Sequence, residues 1–199
     1  MTRQDALVTQ PSMETCLYER IMGSDWQLLD PAIQHFHESD SIEGTFSIQR
    51  GTGFLARAVM WFWRLPPNGE SVPTHLLLRR SDGGEEWLRR FGTRELRSVQ
   101  WEAGGVLMER FGAVQLRMRL TVEGSALAYE LHGIDLKLGN LRLSLFPWLR
   151  PRIQARERAD GETIHVTVRA EAPITGLLVA YDGTLQLGAA PVRRLRRQP

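Results

Sequence analysis

The chain of 199 residues contains one cysteine, Cys16, and one lysine, Lys137. A lone cysteine excludes an intramolecular disulfide and a cysteine-rich zinc site, and with them the small secreted scaffolds held together by such bridges. Long apolar runs are missing as well. No stretch reaches the roughly 18 to 20 residues that cross a bilayer as a helix, and Met1-Thr2-Arg3-Gln4-Asp5 leads into no apolar core of signal-peptide length. No membrane span is expected, and cytoplasmic residence is the default that follows. Charge of one sign is also scarce: 25 Lys and Arg against 23 Asp and Glu leave a net +2, with the acids spread among the arginines, so no nucleic-acid surface is expected. The tail Arg193-Arg194-Leu195-Arg196-Arg197 departs from this mixture. It belongs to a basic stretch over 188–199 that is expected to be disordered and solvated, with weak contact to an anionic surface as its other use.

Catalytic and cofactor signatures are equally absent. The chain has no Gly-x-Ser-x-Gly elbow and no Walker loop, and Gly51-Thr52-Gly53 follows a strand-like segment without the third glycine of a dinucleotide site. His35 and His37 are two apart in a predicted helix, so they face different sides instead of forming the metal pair that a spacing of four allows. No cofactor and no metal are expected.

What the chain does have is pattern. A hydrophobic fraction of 42% and a charged fraction of 24% are those of an ordinary globular protein, and the length suffices for one core, so a single domain over 1–199 is expected. Its N-terminal part, about 13–38, reads as helical. Leu17, Ile21 and Met22 recur at helical spacing before Gly23, Ser24 with Gln27 has the form of a capping box, and Asp30-Pro31 opens a short helix with Ile33, Phe36 and His37 on one face. A strand follows from about Glu43 to Arg50. The segment from Phe54 to Leu65 shows no alternation, stops before Pro66-Pro67 and is apolar almost all round, which predicts a helix closing one end or face of a sheet, or else lying against a membrane or a partner, as in a protein-interaction module docking through Trp61 and Trp63.

From about Thr74 to Leu187, short alternating segments are separated by turn chemistry at Asp82-Gly83-Gly84, Ala103-Gly104-Gly105, Gly112, Gly124-Ser125, Gly139-Asn140, Asp160-Gly161 and Asp182-Gly183. In Ala113 to Val122, Val114, Leu116, Met118, Leu120 and Val122 face one way and Gln115, Arg117, Arg119 and Thr121 the other. Leu127, Tyr129 and Leu131, then Leu141, Leu143 and Leu145, then Ile164, Val166, Val168 and Ala170 continue the alternation. Such a meander, with one dry face, predicts an α+β fold that is mainly β: a long antiparallel sheet over about 43–187, curled into a barrel or half-barrel with the helices packed on or in it. A two-sheet sandwich is the other arrangement of the same strands.

Three charges fall in the apolar phase. Arg89 projects with Trp87 and Phe91, Glu157 with Ile153 and Ala155, and Glu109 with Leu107 and Phe111, although Val106 and Met108 make the opposite phase of that strand nearly as apolar. Charges on a dry face must be paired, neutralised or reserved for a ligand. An Arg89 pair with Glu109 or Glu157 is the structural solution. The functional one is a cavity that binds a small apolar or amphipathic molecule, with Arg89 on its polar or anionic end and Trp87, Phe91, Tyr181 and His37 at the site. A cofactor-free enzyme of cyclase or isomerase type, with Glu109 or Glu157 moving a proton, is the rival.

The order Leu65-Pro66-Pro67 before a strand start at Pro73, Glu86-Trp87 with Arg89-Arg90-Phe91, Glu109-Arg110-Phe111-Gly112, Pro151 followed by Glu157, and Pro173 with Gly176 and Tyr181-Asp182-Gly183 resembles the bacterial domain of unknown function 4166 family. Arg50-Gly51-Thr52-Gly53 and His37 are similar to it too. The resemblance covers about residues 17 to 187. It implies one intact domain and points to the same Trp87, Arg89, Glu109, Glu157 and Tyr181. It implies no reaction, since the family has no established activity and some members are fused to oxidoreductase-like domains.

Overall fold

A computed structural model describes residues 15–54, 56–57, 66–81, 83–139 and 141–187. Short helices come first. Leu17–Met22 forms α1, ended by Gly23 at φ 56°, a left-handed conformation that costs glycine little. The expected capping box of Ser24 and Gln27 does not form. Gly23–Leu28 is instead a 3-10 helix without a side-chain cap, and its tighter winding removes the spacing the box needs. The second expected cap is present: Asp30 accepts from the Ala32 N–H at 2.9 Å, and Pro31–Glu38 forms α2 with Ile33, Phe36 and His37 buried.

Eleven strands follow among the described residues: β1 (Ser41–Arg50), β2 (Gly69–Ser81), β3 (Gly84–Phe91), β4 (Arg94–Ala103), β5 (Val106–Phe111), β6 (Val114–Glu123), β7 (Ala126–Leu138), β8 (Leu141–Ser144), β9 (Arg152–Asp160), β10 (Thr163–Ala172) and β11 (Gly176–Leu187). Every pairing is antiparallel. Neighbours run β6-β5-β4-β3-β2-β1-β11-β10-β9-β7, and β6 also pairs with β7, so ten strands close into a barrel. β8 lies outside the ring on the far half of β7. Closure leaves no long edge to aggregate, which resolves the choice among barrel, half-barrel and sandwich.

The seam is made by β1 and β11, in register from Ile42 opposite Leu187 to Arg50 opposite Val179. Asp182-Gly183 was expected to be a turn, but it lies inside β11, with Gly183 opposite both Phe46 and Val166. The glycine serves packing there: a Cβ on Gly183 would stand 2.6 Å from Cδ1 of Phe46 and closer still to the Thr45 carbonyl oxygen. Pro73 likewise does not open its strand. β2 begins at Gly69, and proline is tolerated because β3 pairing starts only at Thr74, leaving Pro73 paired to β1 alone. Leu141 and Leu143 alternate as expected but face no core; they are 55% and 46% exposed, since β8 has left the barrel wall.

The helices close one end of the barrel. α1 lies against β4, β5 and β6, α2 lies against β9 and β10, and the Asp30 N–H donates to the Ser125 carbonyl in the β6–β7 turn at 3.0 Å. Leu17, Tyr18, Trp26, Ile33, Phe36 and His37 are buried in this plug. Each large apolar side chain among them contributes on the order of 1.5–3 kcal/mol. The helix expected from Phe54 to Leu65 lies mostly outside the described residues, as do Trp61, Trp63 and the Arg193–Arg197 tail. Of that segment Phe54 is exposed and Ala56 buried. No helix among the described residues is long and apolar enough to cross a membrane.

The seam yields a stability test. Gly183→Ala should destabilise the chain by about 1–3 kcal/mol through overpacking against Phe46, seen as a lower thermal midpoint by circular dichroism. Gly53→Ala, where an added Cβ meets nothing within 4 Å, should leave the midpoint unchanged. Equal midpoints for the two variants would mean that both the Thr45 carbonyl and the Phe46 ring yield freely.

Candidate functional site

Strand alternation brings the three out-of-phase charges into one interior. In β3 the core positions are Trp87 and Phe91 with Arg89 between them, in β5 Leu107 is fully buried and Glu109 follows it inward, and in β9 Glu157 is the buried member of Ile153, Ala155 and Glu157. Met108 in the opposite phase is buried too, which is why β5 looks apolar on both faces in sequence. Arg89, Glu109 and Glu157 all line a cavity of about 180 Å³ inside the barrel.

The charges separate into two clusters. Arg89 pairs with Glu109, not Glu157: its Nη2 donates to Glu109 Oε1 at 3.0 Å and its Nη1 to Ser98 Oγ at 2.7 Å, while the Ser98 hydroxyl donates to the same carboxylate oxygen at 2.7 Å. The guanidinium also stands over the Trp87 ring at 4.8 Å and the Phe111 ring at 5.8 Å. Burial is the largest influence on the Arg89 pKa and lowers it, but the Glu109 carboxylate together with Tyr181 and Tyr18 outweighs it, so the guanidinium is held protonated more firmly than usual.

Glu157 takes its partner from the plug. His37 Nε2 stands 2.8 Å from Glu157 Oε2, and the Tyr129 hydroxyl donates to Oε1 at 2.7 Å. Because the carboxylate accepts, the bond places a proton on His37 Nε2; Nδ1 is buried without a hydrogen-bond partner among the described residues. The Tyr18 ring stacks on His37 with centroids 3.7 Å apart, and its hydroxyl donates to Gln100 Oε1 at 3.0 Å. His35, on the other side of α2, is exposed, and no group of three metal-ligating side chains comes together among the described residues.

Of the residues singled out from sequence, Arg89, Glu109, Glu157, Phe91 and Tyr181 are on the cavity wall. Trp87 and His37 are not among its lining residues. Each backs one that is: Trp87 packs under Arg89 and gives its indole N–H to Glu85 at 3.2 Å, and His37 lies behind Glu157. Tyr18, Ser98, Gln100 and Tyr129 were missed. For Tyr129 the signal was present, since it alternates with Leu127 and Leu131. β4 gave the wrong signal, because its buried residues are Ser98 and Gln100 while Val99 and Trp101 occupy the outer phase.

The wall divides where β7 and β9 part. These strands pair only over Leu127–Glu130 and Gln154–Glu157; beyond that, Arg150 spans the fork, donating to the carbonyls of His132 at 3.2 Å and Leu145 at 3.1 Å. An outer groove of about 1070 Å³ runs past this fork and shares Tyr129, Ile153, Ala155, Val168 and Tyr181 with the inner cavity.

All three tyrosines of the chain belong to this interior. Burial first, and the Glu157 carboxylate next, push Tyr18 and Tyr129 well above their usual pKa; burial pushes Tyr181 up to about 12, against a lowering by Arg89. A group whose folded pKa is raised contributes stability that is complete below the unfolded value near 10 and is lost as pH climbs toward the folded one. Ultraviolet titration should therefore show no tyrosinate in the folded protein at about pH 10. The phenols should ionise together when alkaline unfolding occurs between that pH and about 12. A phenol ionising near 10 with circular dichroism intact would contradict this burial.

No curated protein matches the chain. Among solved structures it is similar to Rv2717c from M. tuberculosis, with a TM-score of 0.45 and 12% identity over 81% of this chain and 99% of that one. The family model described as domain of unknown function (DUF4166) matches residues 29–185, nearly the whole barrel with α2. The chain belongs to this family.

Proposed function

We propose that the barrel binds a small apolar or amphipathic molecule in its interior. The observation that carries this reading is the cavity of about 180 Å³, whose walls are mainly apolar, among them Phe46, Phe91, Leu116 and Val168, and which meets hydrogen-bonding capacity that the protein leaves unspent. Two of the five Arg89 N–H groups are used by Ser98 and Glu109. Glu109 Oε2, the Gln100 amide N–H groups and the Tyr181 hydroxyl have no partner among the described residues. The guanidinium charge is already met by Glu109. An uncharged hydroxyl, carbonyl or amide end therefore suits the site better than a carboxylate, which would add a third negative group beside Glu109 and Glu157.

Calorimetric titration with octanol and octanoate tests the reading, because these ligands share a chain and differ in charge. Octanol should bind the wild-type protein more tightly. Glu109→Gln should shift the preference toward octanoate by about tenfold or more, since Arg89 then lacks its counter-charge. Binding of neither ligand, together with no small molecule retained when the protein from its own host is weighed by native mass spectrometry, would defeat the proposal.

A second reading has its own support in the chain Tyr129–Glu157–His37. A hydroxyl on the cavity wall donates to a carboxylate backed by a buried imidazole, an arrangement able to pass a proton without a cofactor. If the protein is an enzyme, a retained molecule should change chemically on incubation, and Tyr129→Phe should stop the change while leaving the molecule bound. Identical mass spectra before and after incubation would remove the enzyme reading and leave the binding one.

A further inference from the structure

Acids and arginines are interleaved along most of the chain, but between Leu136 and Ile153 there are four basic residues, Lys137, Arg142, Arg150 and Arg152, and no acidic one. The same stretch holds four of the seven large apolar side chains that are exposed among the described residues. Leu141 and Leu143 are on β8, and Phe146 and Trp148, 66% and 67% exposed, flank the start of the 3-10 helix Pro147–Leu149 with their rings stacked 18° from parallel. Single exposed apolar residues need no explanation, but four on one excursion do.

This excursion projects from the end of the barrel opposite the helical plug. β7 runs away from the plug and continues beyond β6, whose first residue Val114 pairs with Leu136, so Leu138 is paired only to Leu141 of β8. The chain returns through Phe146 and Trp148 to Arg152, opposite Glu171 of β10. Ile174, 67% exposed in the following β10–β11 turn, is at the same end. An apolar tip carrying tryptophan and phenylalanine, rimmed by Lys137 and Arg152 and with no carboxylate of its own, the facing Glu171 being held by Arg169 Nε at 2.9 Å, matches a bilayer interface: the rings enter the headgroup boundary and the cations meet anionic lipid.

We propose that the β7–β8 hairpin and the Phe146–Trp148 segment form a docking surface for anionic lipid membranes. The contact is peripheral and shallow, made by one excursion at the rim of the barrel. It stands on the excursion alone and does not depend on what the barrel holds.

Flotation with vesicles of phosphatidylcholine, alone or mixed with phosphatidylglycerol, tests the proposal on the full chain. The protein should float with the mixed vesicles and not with phosphatidylcholine alone, and added salt should release it. The double variant Phe146→Ser/Trp148→Ser should bind at least about tenfold more weakly. Lys137→Ser and Arg152→Ser should each weaken binding about fivefold. These are surface substitutions, and an unchanged thermal midpoint will show that folding is intact. The tail variant Arg193→Ser/Arg194→Ser/Arg196→Ser/Arg197→Ser should still float. The proposal fails if the charge of the vesicles makes no difference, or if binding follows the tail substitutions and survives Phe146→Ser/Trp148→Ser. It also fails if sedimentation velocity shows a dimer abolished by that double variant while vesicles bind nothing, because the apolar tip would then be an interface between two copies.

Discussion

A carboxylate inside a closed barrel cannot reach water and must be answered by a hydrogen-bond donor from the wall or from whatever closes the end. This chain uses both routes. Glu109 is answered within the wall by Arg89 and Ser98, from β3 and β4, and Glu157 is answered by Tyr129 of β7 and by His37 from the plug. The second bond makes closure of the barrel specific. Apolar burial of Tyr18, Ile33 and Phe36 would hold a helical plug in many orientations, but only one places an imidazole 2.8 Å from the buried carboxylate.

The same arrangement divides the interior into polar and apolar regions. Tyr18, Gln100, Tyr129 and Glu157 lie toward the plug, whereas Phe91, Leu96, Phe111 and Val114 flank the β3–β4 and β5–β6 turns at the other end, where Arg89, opposite Leu96, is the polar exception. A cavity graded in this way is what favours the proposed ligand, a molecule with one polar end. The neutral character we assign to that end follows from charge: each interior cation is already balanced, and hydrogen-bonding capacity, not charge, is what remains.

Beyond the plug-distal rim the chain departs from the barrel's rule. β8 pairs with β7 but contributes no wall, and its leucines and the nearby aromatics face outward. Inside the barrel, exposure of such residues is prevented by closure. Outside it, their concentration in a stretch that holds four basic residues and no acidic one sets this excursion apart chemically from the rest of the chain.

Much of the architecture was legible in the residues. Alternation with period two in Ala113 to Val122 or Ile164 to Ala170 dictates a half-buried antiparallel strand whatever lies next to it, and Asp30-Pro31 starts a helix by local chemistry alone. The inward direction of Arg89 and Glu157 follows from the same parity. Tertiary structure decided the rest, because those facts depend on neighbours distant in sequence. Gly183 resembles a turn until Phe46 is seen lying against it across the seam. Ser98 and Gln100 look solvent-facing until Arg89 and Tyr18 supply their partners. Which carboxylate pairs with Arg89, and that His37 crosses 120 residues of chain to meet Glu157, is set by barrel closure, which no local pattern encodes. Sequence by itself determined the two alternating faces of each strand, since parity is a property of the strand; only the closed barrel decided which face of β4 and β5 turns inward, that β8 faces no core, and which inward side chains meet.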